Sequence, residues 1–358
     1  MRGLIDKLCR ERTLSKEEFT ELLHHADDSG LSGYLFSLSS KTAREHFGNR
    51  IYIRGLIEFS NYCKNNCYYC GIRAANKSLE RYRLEQEEIL FCCGQGYGLG
   101  FRTFVLQGGE DPYFTDERFC SIIREIKARF PECAVTLSIG ERSRQSYQAF
   151  FDAGADRFLL RHETADSGHY GRLHPENLKL KNRMRCLRDL KEIGFQTGTG
   201  FMVGSPYQKT EFLAEDLLYL EKLHPQMVGI GPFLPHCDTP FRNEPPGSTQ
   251  LCLFLIGIIR LMLPNALIPA TTAPATADKN GREKGVLAGA NVVMPNLSPL
   301  RSRKQYALYN NKISTGEEAA EGLALLKKKM SSIGYEVVAG RGDYQPEGTQ
   351  YTNRIIKR

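Results

Sequence analysis

The sequence lacks tryptophan, long apolar runs and dense blocks of charge of one sign. Its most apolar stretch, residues 251–263, spans 13 residues and includes Arg260, whereas a membrane-spanning helix needs about 20 apolar residues. The formal net charge of +7 is spread along the 358 residues, without the basic tail or stripe that is typical of nucleic-acid binding. We therefore expect neither a membrane nor a nucleic-acid partner, and the diffuse positive charge suits an anionic small ligand.

A secretory leader is also not expected, because the first ten residues are charged throughout and contain no contiguous apolar segment. This pattern favours a cytoplasmic protein. With 41% apolar and 25% charged residues, the composition is that of an ordinary globular protein rather than a disordered or fibrous one.

The chain has eleven cysteines, an odd number that argues against a disulfide framework and for reduced thiols or metal ligands. Only Cys63, Cys67 and Cys70 cluster in the sequence. The others are scattered, and we expect each to be a small buried apolar residue. They are Cys9, Cys92, Cys93, Cys120, Cys133, Cys186, Cys237 and Cys252.

Short apolar or β-branched runs alternate with helical patterns from residue 51 onward. Such alternation predicts parallel βαβ crossovers, and eight runs that end near residue 300 predict an α/β fold, a (β/α)8 barrel of the TIM type. The predicted strands are 51–59, 103–106, 134–137, 157–160, 198–203, 227–230, 267–269 and 290–294.

Helices are predicted before and after this barrel. Ser15 and Glu18 form a capping-box pattern that begins one helix, and a second helix is expected after Ser32. Beyond the barrel we expect an amphipathic helix over 317–330 and a short strand signal at 335–338. The predicted divisions are an N-terminal helical layer (1–48), the barrel (49–310) and a C-terminal extension (311–358).

Residues just past each strand carry the chemistry of such a barrel, and the loop after the first strand holds Cys63, Cys67 and Cys70. A structural zinc site uses four ligands, yet no cysteine or histidine occurs in the twenty residues after Cys70. Three cysteines on a [4Fe–4S] cluster leave one iron open to a chelating substrate. The spacing favours the cluster, and the alternatives are zinc with a distant fourth ligand or a chance grouping.

This Cys-x3-Cys-x2-Cys spacing, with Tyr69 before the third cysteine, resembles the signature loop of radical S-adenosylmethionine (SAM) enzymes. The resemblance implies that Cys63, Cys67 and Cys70 bind three irons of one [4Fe–4S] cluster. It also implies that the amino and carboxylate groups of SAM chelate the fourth iron, and that Tyr69 lies beside the adenine.

An ordered series of further motifs over residues 50–310 resembles the HydE family of [FeFe]-hydrogenase maturases more narrowly. The series separates this family from its relatives biotin synthase and methylornithine synthase. The motifs are IEFSNYC at 57–63, CYYCG at 67–71, VLQGGEDP at 105–112, VTLSIGE at 135–141, LLRHETA at 159–165, MVGIGPF at 227–233, IPATTA at 268–273 and NVVMPN at 291–296.

The resemblance implies a set of residues that bind SAM. Gly108, Gly109 and Glu110 would form a loop at the SAM amino group, because glycines permit close backbone approach and a carboxylate suits an ammonium. Glu163 would lie near the ribose, and Arg183 would pair with the SAM carboxylate. The full implied set is Tyr69, Gln107, Gly108, Gly109, Glu110, Glu163, Arg183 and Ile230.

Each of these positions also has an ordinary structural interpretation when the residues are taken alone. The stretch from Gly108 to Glu110 could be a loop turn. Glu163 could be a solvated charge at a helix end, Arg183 an exposed helix arginine, and Ile230 a residue of the barrel core.

The resemblance implies a substrate pocket on the opposite side of the cavity. Arg161 with threonine hydroxyls would make a polar pocket for an amino-acid carboxylate. Taken alone, Tyr306 is more often a packed aromatic, and the threonines of the set are more often strand residues. The implied substrate-binding residues are Thr136, Ser138, Arg161, Thr271, Thr272, Met294 and Tyr306.

His162 and His236 are considered only as supporting residues, because radical hydrogen transfer does not require a general base. No cysteine follows Cys252, so the second cluster that some family members carry near their C-terminus is not expected here.

The function implied by the resemblance is reductive cleavage of SAM to a 5′-deoxyadenosyl radical. That radical would process a cysteine-bound iron carbonyl cyanide precursor, made by HydG, toward the diiron unit assembled on HydF, with electrons from a separate donor. Two rivals stay open: a radical SAM enzyme acting on an amino acid, as methylornithine synthase does, and a non-catalytic metal-binding barrel.

Overall fold

Helices and short strands alternate along the computed structural model, which describes residues 1–270, 280–310, 312 and 319–346. The helices are α1 (Arg2–Glu11), α2 (Lys16–His24), α3 (Ser29–Phe47), α4 (Gln86–Gly98), α5 (Asp116–Arg129), α6 (Arg144–Asp152), α7 (Ser167–Leu173), α8 (Leu180–Ile193), α9 (Thr210–Leu223), α10 (Thr249–Met262), α11 (Gly281–Leu287), α12 (Leu300–Arg303) and α13 (Ala319–Ser332). The strands are β1 (Arg50–Ile53), β2 (Gly55–Ser60), β3 (Thr103–Gly108), β4 (Ala134–Ser138), β5 (Arg157–Leu159), β6 (Gln196–Thr199), β7 (Met202–Val203), β8 (Met227–Val228), β9 (Gly231–Pro232), β10 (Val292–Val293) and β11 (Glu336–Val338).

The N-terminal segment consists of α1, α2 and α3. The capping box predicted at Ser15 is present: Glu18 N–H donates to Ser15 Oγ, and Ser15 N–H donates to the Glu18 carboxylate. The helix start expected after Ser32 is wrong. Because the Asp28 carboxylate accepts the free N–H groups that open the helix, α3 begins at Ser29.

The strands form a closed parallel barrel. Six of them pair in the order β2-β3-β4-β5-β6-β8, and bridges from Met227 to Leu267 and from Pro269 to Val292 carry the ring on to β10. β10 pairs with β1, which is followed directly by β2. All the strand positions predicted from the sequence are occupied, so the predicted (β/α)8 barrel is confirmed.

The most apolar helix, α10, is explained by its position inside the fold. Every residue from Cys252 to Met262 is buried, and α10 packs against α3. None of the helices in the described ranges is long and apolar enough to cross a bilayer.

The C-terminal segment crosses the end of the barrel where the strands begin. β11 pairs in parallel with β1. The fully buried Arg157 donates to the Arg341 carbonyl (2.9 Å) and to the Asp343 carboxylate (2.5 Å). Tyr344 N–H donates to the Gln196 side chain (3.0 Å). These contacts close the end of the barrel opposite the cysteine loop.

The scattered cysteines match the expectation of buried apolar residues in six positions. All eleven thiols are free. Cys9 is half-buried, and Cys237 is exposed, so the expectation is wrong for Cys237, which lies on the loop after β9. The buried six are Cys92, Cys93, Cys120, Cys133, Cys186 and Cys252.

Candidate cofactor and substrate site

The loop after β2 carries the three clustered cysteines and is fastened to its neighbours through the backbone. Lys64 N–H donates to the Glu110 carbonyl (3.0 Å), and Tyr68 N–H donates to the Leu173 carbonyl (2.9 Å). The Arg81 guanidinium binds the loop from within, donating to the carbonyls of Ile72, Arg73 and Asn76. The loop that would hold a cluster is therefore organised by the protein itself.

The three thiols lie in a desolvated setting. Burial raises the pKa of Cys63 and Cys67, and raises the pKa of Cys70 to about 12. Without a bound metal these thiols are protonated at neutral pH, so loading of a cluster displaces their protons.

The spacing of the sulfur atoms separates a cluster from a single zinc ion. The Sγ atoms of Cys63, Cys67 and Cys70 do not all lie within 4.8 Å of one another. A tetrahedral zinc with Zn–S bonds of about 2.3 Å would hold its sulfurs roughly 4 Å apart, whereas a cluster binds each cysteine at a different iron. The arrangement fits the cluster better than the zinc alternative.

Two glycines at the end of β3 pack closely against the preceding part of the chain, Gly109 against the cysteine loop and Gly108 against β2. A Cβ at Gly109 would come within 2.2 Å of the Tyr62 carbonyl oxygen and 2.7 Å of Cys63 Cβ. A Cβ at Gly108 would lie 2.5 Å from the Phe59 ring. The positions fit glycine because the two loops are in backbone contact.

Glu110, the next residue, is directed inward. Its Oε1 accepts the Glu141 N–H (3.0 Å), and its Oε2 lies 3.2 Å from Lys64 Nζ. A Cβ at Gly140 would meet Glu110 at 2.2 Å, and Gly140 has a positive φ of 77°. A cleft of about 710 Å³ whose lining includes Lys64, Glu110 and Glu141 opens from here to the surface.

Glu163, just past β5, is held in a strained backbone conformation. Its φ is 68°, a left-handed value that costs a non-glycine residue roughly 1–2 kcal/mol. Its N–H donates to the Gly200 carbonyl, and its carbonyl accepts the Met202 N–H, both at 3.1 Å. Glu163 is 8% exposed, and its Oε2 lies 3.1 Å from Arg161 Nη2 but makes no hydrogen bond to any described residue. The interpretation as a solvated helix-end charge is wrong, and the unused acceptor suits a ligand.

Arg183 lies on α8 but faces inward. Its Nε donates to Glu141 Oε1 and its Nη1 donates to the Arg161 carbonyl, both at 2.6 Å. The residue is 7% exposed, so the interpretation as an exposed helix arginine is wrong. The guanidinium is oriented by one carboxylate and one carbonyl, which fixes where it presents its charge.

Tyr69 is held by a histidine that the sequence did not single out. Its hydroxyl lies 3.1 Å from His174 Nε2, and the two rings meet edge to face with centroids 5.4 Å apart. Tyr170 stacks on the His174 ring, with centroids 4.0 Å apart. The Tyr170 hydroxyl is buried and has no hydrogen-bond partner in the part of the chain that the structure describes.

The predicted substrate residues divide into those the barrel brings together and those it leaves undescribed. Thr136 and Ser138 lie on β4, and Arg161 follows β5. Thr136 Oγ1 and the Nε and Nη2 atoms of Arg161 are buried without a hydrogen-bond partner among the described residues. Thr271 and Thr272 lie outside the described residues.

Tyr306, Met294 and Ile230 complete the predicted set. Tyr306 is buried, and burial raises the pKa of its hydroxyl, to which the Gln107 side chain is hydrogen-bonded. Met294 packs against an apolar group that includes Val292. Ile230 is buried at the end of the sixth strand position, where a place in the barrel core and a contact with a cofactor are both compatible.

Neither histidine considered from the sequence has a free imidazole in the site. His162 is fully buried between Thr199 Oγ1 (2.9 Å) and Asp216 Oδ1 (3.2 Å), and burial lowers its pKa to about 3. His236 lies against Gly71, where a Cβ would come within 2.4 Å of its ring. Both are structural supports, His162 for the strand end before Glu163 and His236 for the cysteine loop.

The donor set fits a SAM-bound cluster. Three half-buried cysteines supply sulfur ligands, Glu110 offers a carboxylate for an ammonium, and Arg183 offers a guanidinium for a carboxylate. Glu163 and Tyr170 border the same region. The Glu163 charge adds to burial in raising the pKa of Tyr69 and of Cys70, and the Tyr170 ring stacks on His174, the partner of Tyr69.

Sequence reasoning missed Glu141, His174 and Tyr170. Glu141 is the last residue of the motif at 135–141, and the other two lie in and just after α7. A carboxylate that ends a barrel strand motif was a usable signal. No sequence signal pointed to His174, because a histidine before Pro175 is an ordinary helix end.

Comparisons with known proteins agree with this geometry. A family model described as the Radical SAM superfamily matches residues 57–219. The [FeFe] hydrogenase maturase subunit HydE of Thermotoga maritima is 43% identical over 333 residues, which covers 93% of this chain and 94% of that protein. The 3-methylornithine synthase of Methanosarcina acetivorans is 29% identical over 92% of each chain.

Solved structures show the same fold. Methylornithine synthase matches with a TM-score of 0.81 and 26% identity over 94% of this chain and 97% of that one. The maturase HydG matches with a TM-score of 0.77 and 21% identity over 93% and 74% of the two chains, a likeness of fold alone. The chain is a radical SAM enzyme whose cofactors are a [4Fe–4S] cluster and SAM, and it belongs to the HydE family of [FeFe]-hydrogenase maturases.

Proposed function

We propose that this enzyme acts in the maturation of [FeFe]-hydrogenase, processing a cysteine-bound iron carbonyl cyanide precursor toward the diiron subcluster. The observation that carries the proposal is the 43% identity to HydE of Thermotoga maritima over 93% of the chain. The Thr136 hydroxyl and Arg161 Nε support it, because both are buried without a hydrogen-bond partner among the described residues and an amino-acid carboxylate would satisfy them.

When bound, the cluster would supply the electron for reductive cleavage of SAM, and SAM would supply the radical that acts on the substrate. The residues of the chain bind and orient. Cys63, Cys67 and Cys70 hold the irons as thiolates. On the SAM side, Glu110 binds the amino group and Arg183 binds the carboxylate.

The remaining SAM contacts surround the nucleoside. Glu163 accepts from the ribose hydroxyls, Tyr69 and Ile230 flank the adenine, and the backbone from Gln107 to Gly109 forms the wall. Across the cavity, Arg161 pairs with the substrate carboxylate. The other proposed substrate-binding residues are Thr136, Ser138, Met294 and Tyr306, with Thr271 and Thr272 assigned from the family motif alone.

The proposed partners follow from this place in maturation. HydG would supply the precursor, HydF would receive the product, and a separate electron donor would reduce the cluster. We place the protein in the cytoplasm, because its eleven free thiols suit a reducing compartment.

A second candidate function is radical chemistry on an organic amino acid. The likeness to methylornithine synthase, with a TM-score of 0.81, favours it, and the same Arg161 pocket would bind an amino-acid carboxylate. The two functions differ in the substrate that is consumed, not in the cofactors.

The first experiment is anaerobic reconstitution with iron and sulfide, followed by EPR of the reduced protein before and after SAM is added. We expect a [4Fe–4S] signal that changes with SAM, and formation of 5′-deoxyadenosine under dithionite. Cys67→Ser should abolish both, and Cys9→Ser, a thiol on α1, should change neither. A cluster indifferent to SAM would contradict the proposal.

A maturation assay then separates the two candidate functions. We expect the enzyme, combined with HydG and HydF, to activate an apo-hydrogenase, measured as hydrogen evolution. Failure to activate, together with SAM-dependent turnover of an amino acid, would instead establish the second candidate.

A further inference from the structure

His174 occupies a fixed position at the end of α7. The Asp166 side chain accepts the His169 N–H (2.6 Å) at the start of this helix, and Pro175 follows His174 at its end. His174 N–H donates to the Tyr170 carbonyl (3.1 Å). His174 is 1% exposed, so its position is determined by its contacts with the protein and not by solvent.

The hydrogen bonds of His174 determine which nitrogen carries the proton. Nδ1 lies 3.0 Å from the Tyr170 carbonyl oxygen, which can only accept, so Nδ1 is the protonated nitrogen. Nε2 is therefore the acceptor, and the Tyr69 hydroxyl donates to it at 3.1 Å.

Ring contacts restrain the orientation of the His174 imidazole, in addition to its hydrogen bonds. Tyr170 stacks on His174 with an interplanar angle of 20°, and Tyr69 meets it at 89°. Tyr69 lies between two cluster cysteines, and its ring also packs on an apolar group that includes Leu173 and Phe233. A side chain at the end of α7 thus fixes the position of the hydroxyl of Tyr69 in the cysteine loop.

We infer that His174 is a positioning residue for SAM, which acts by fixing Tyr69 in the orientation that receives the adenine. The inference rests on the proposed cofactor contact of Tyr69. His174 itself touches Tyr69 and Tyr170, and its contribution is the restraint of a loop aromatic before the cofactor arrives.

Paired substitutions test the inference on the reconstituted full-length protein, with the SAM dissociation constant measured from the EPR change of the reduced cluster. His174→Phe keeps a stacking ring and loses the acceptor, so SAM should bind roughly three- to tenfold more weakly. His174→Gln keeps an acceptor and should stay within about twofold of the wild type. The rate of 5′-deoxyadenosine formation at saturating SAM should change little in both.

Tyr69→Phe supplies the matching half of the cycle. It removes the donor, so it should weaken SAM binding as much as His174→Phe does, and the double variant should lose no more than either single variant. The exposed His25 provides a control, since His25→Phe should leave SAM affinity unchanged.

Two results would overturn the inference: wild-type affinity in His174→Phe, or losses that add in the double variant. If His174→Phe cannot be loaded with a cluster, the SAM affinities of the remaining variants are compared. His174→Gln must then bind SAM more tightly than Tyr69→Phe, and the reverse order overturns the inference. A wild-type cluster indifferent to SAM would contradict the proposed function as well, whereas a responsive wild type with an unaffected His174→Phe contradicts the positioning role alone.

Discussion

Arg161 Nη2 lies 3.1 Å from Glu163 Oε2, yet neither atom makes a hydrogen bond to any described residue. The two charges attract each other while their hydrogen-bonding capacity stays unused. In the proposed site Arg161 serves the substrate and Glu163 serves the SAM ribose, so this ion pair joins the two binding regions. The backbone of Arg161 joins them as well, since its carbonyl accepts from Arg183.

Removal of the Arg161 charge should therefore affect maturation more than cluster loading. For Arg161→Ala we expect hydrogenase activation to fall roughly ten- to a hundredfold, the effect of losing a charge-assisted hydrogen bond. Iron content should match the wild type. Arg188→Ala, an exposed arginine on α8, is the control. Full activation by Arg161→Ala, measured as hydrogen evolution, would refute the substrate pocket.

We expect the Tyr170 hydroxyl to lower the stability of the apo protein and to strengthen SAM binding. It is buried without a partner among the described residues, so the folded apo protein bears an unpaid desolvation cost there. Tyr170→Phe should raise the free energy of unfolding of the apo protein, or leave it unchanged, while weakening SAM binding. Urea unfolding and the EPR titration measure the two quantities. Loss of stability with unchanged SAM affinity would mean that the hydroxyl serves the fold.

The contact between the two loops at Gly109 can be tested with a methyl group. Gly109→Ala places Cβ 2.2 Å from the Tyr62 carbonyl oxygen, so the cysteine loop must shift and iron loading should fall by more than half. Gly33→Ala is the matched control, because a Cβ there meets nothing within 4 Å and a helical alanine stabilises by roughly 0.5–1 kcal/mol. Normal iron content in Gly109→Ala would show that the loops are not held in contact.

The carboxylate of Asp343 should make stability depend on pH. Burial by itself raises its pKa, but the hydrogen bond from Arg341 and the charge of Arg157 outweigh burial and hold the pKa below the ordinary 3.8. Its contribution is therefore complete above that value and is lost as the pH falls below it. Asp343→Asn should cost roughly 1–3 kcal/mol at pH 7.

Urea unfolding of the wild type and Asp343→Asn over a range of pH tests this sign. The difference in unfolding free energy should be constant from neutral pH down to about pH 5 and should shrink below about pH 4. Asp27→Asn, on an exposed turn, should show no such trend. A difference that grew toward acid would contradict the assignment.

The sequence predicted the barrel well because each strand is a local pattern. It did not predict where strands break. The first strand divides at Arg54, whose N–H donates to the Val293 carbonyl (2.9 Å), while Gly55 pairs with Phe104 on the opposite neighbour. This change of strand partner depends on residues that are distant in the sequence, so a local sequence pattern cannot predict it.

Separation along the chain also explains which residues of the site could be predicted and which could not. Residues just past the strands could be found from the barrel rule and from family motifs. Their partners could not: Tyr69 and His174 are 105 residues apart, and the buried Glu58 pairs with Lys312 across 254 residues. The roles given to individual residues, and the three divisions of the chain, stay predictions.

The closed lower end of the barrel imposes an order of events. With Arg157, Arg341 and Asp343 locked across that end, molecules must come and go at the rim that carries the cysteines. Substrate and product then use the same opening of the barrel, and bound SAM would lie in that opening. We therefore expect the product to leave only after the cleavage products of SAM have dissociated, so that release of both ends each catalytic cycle.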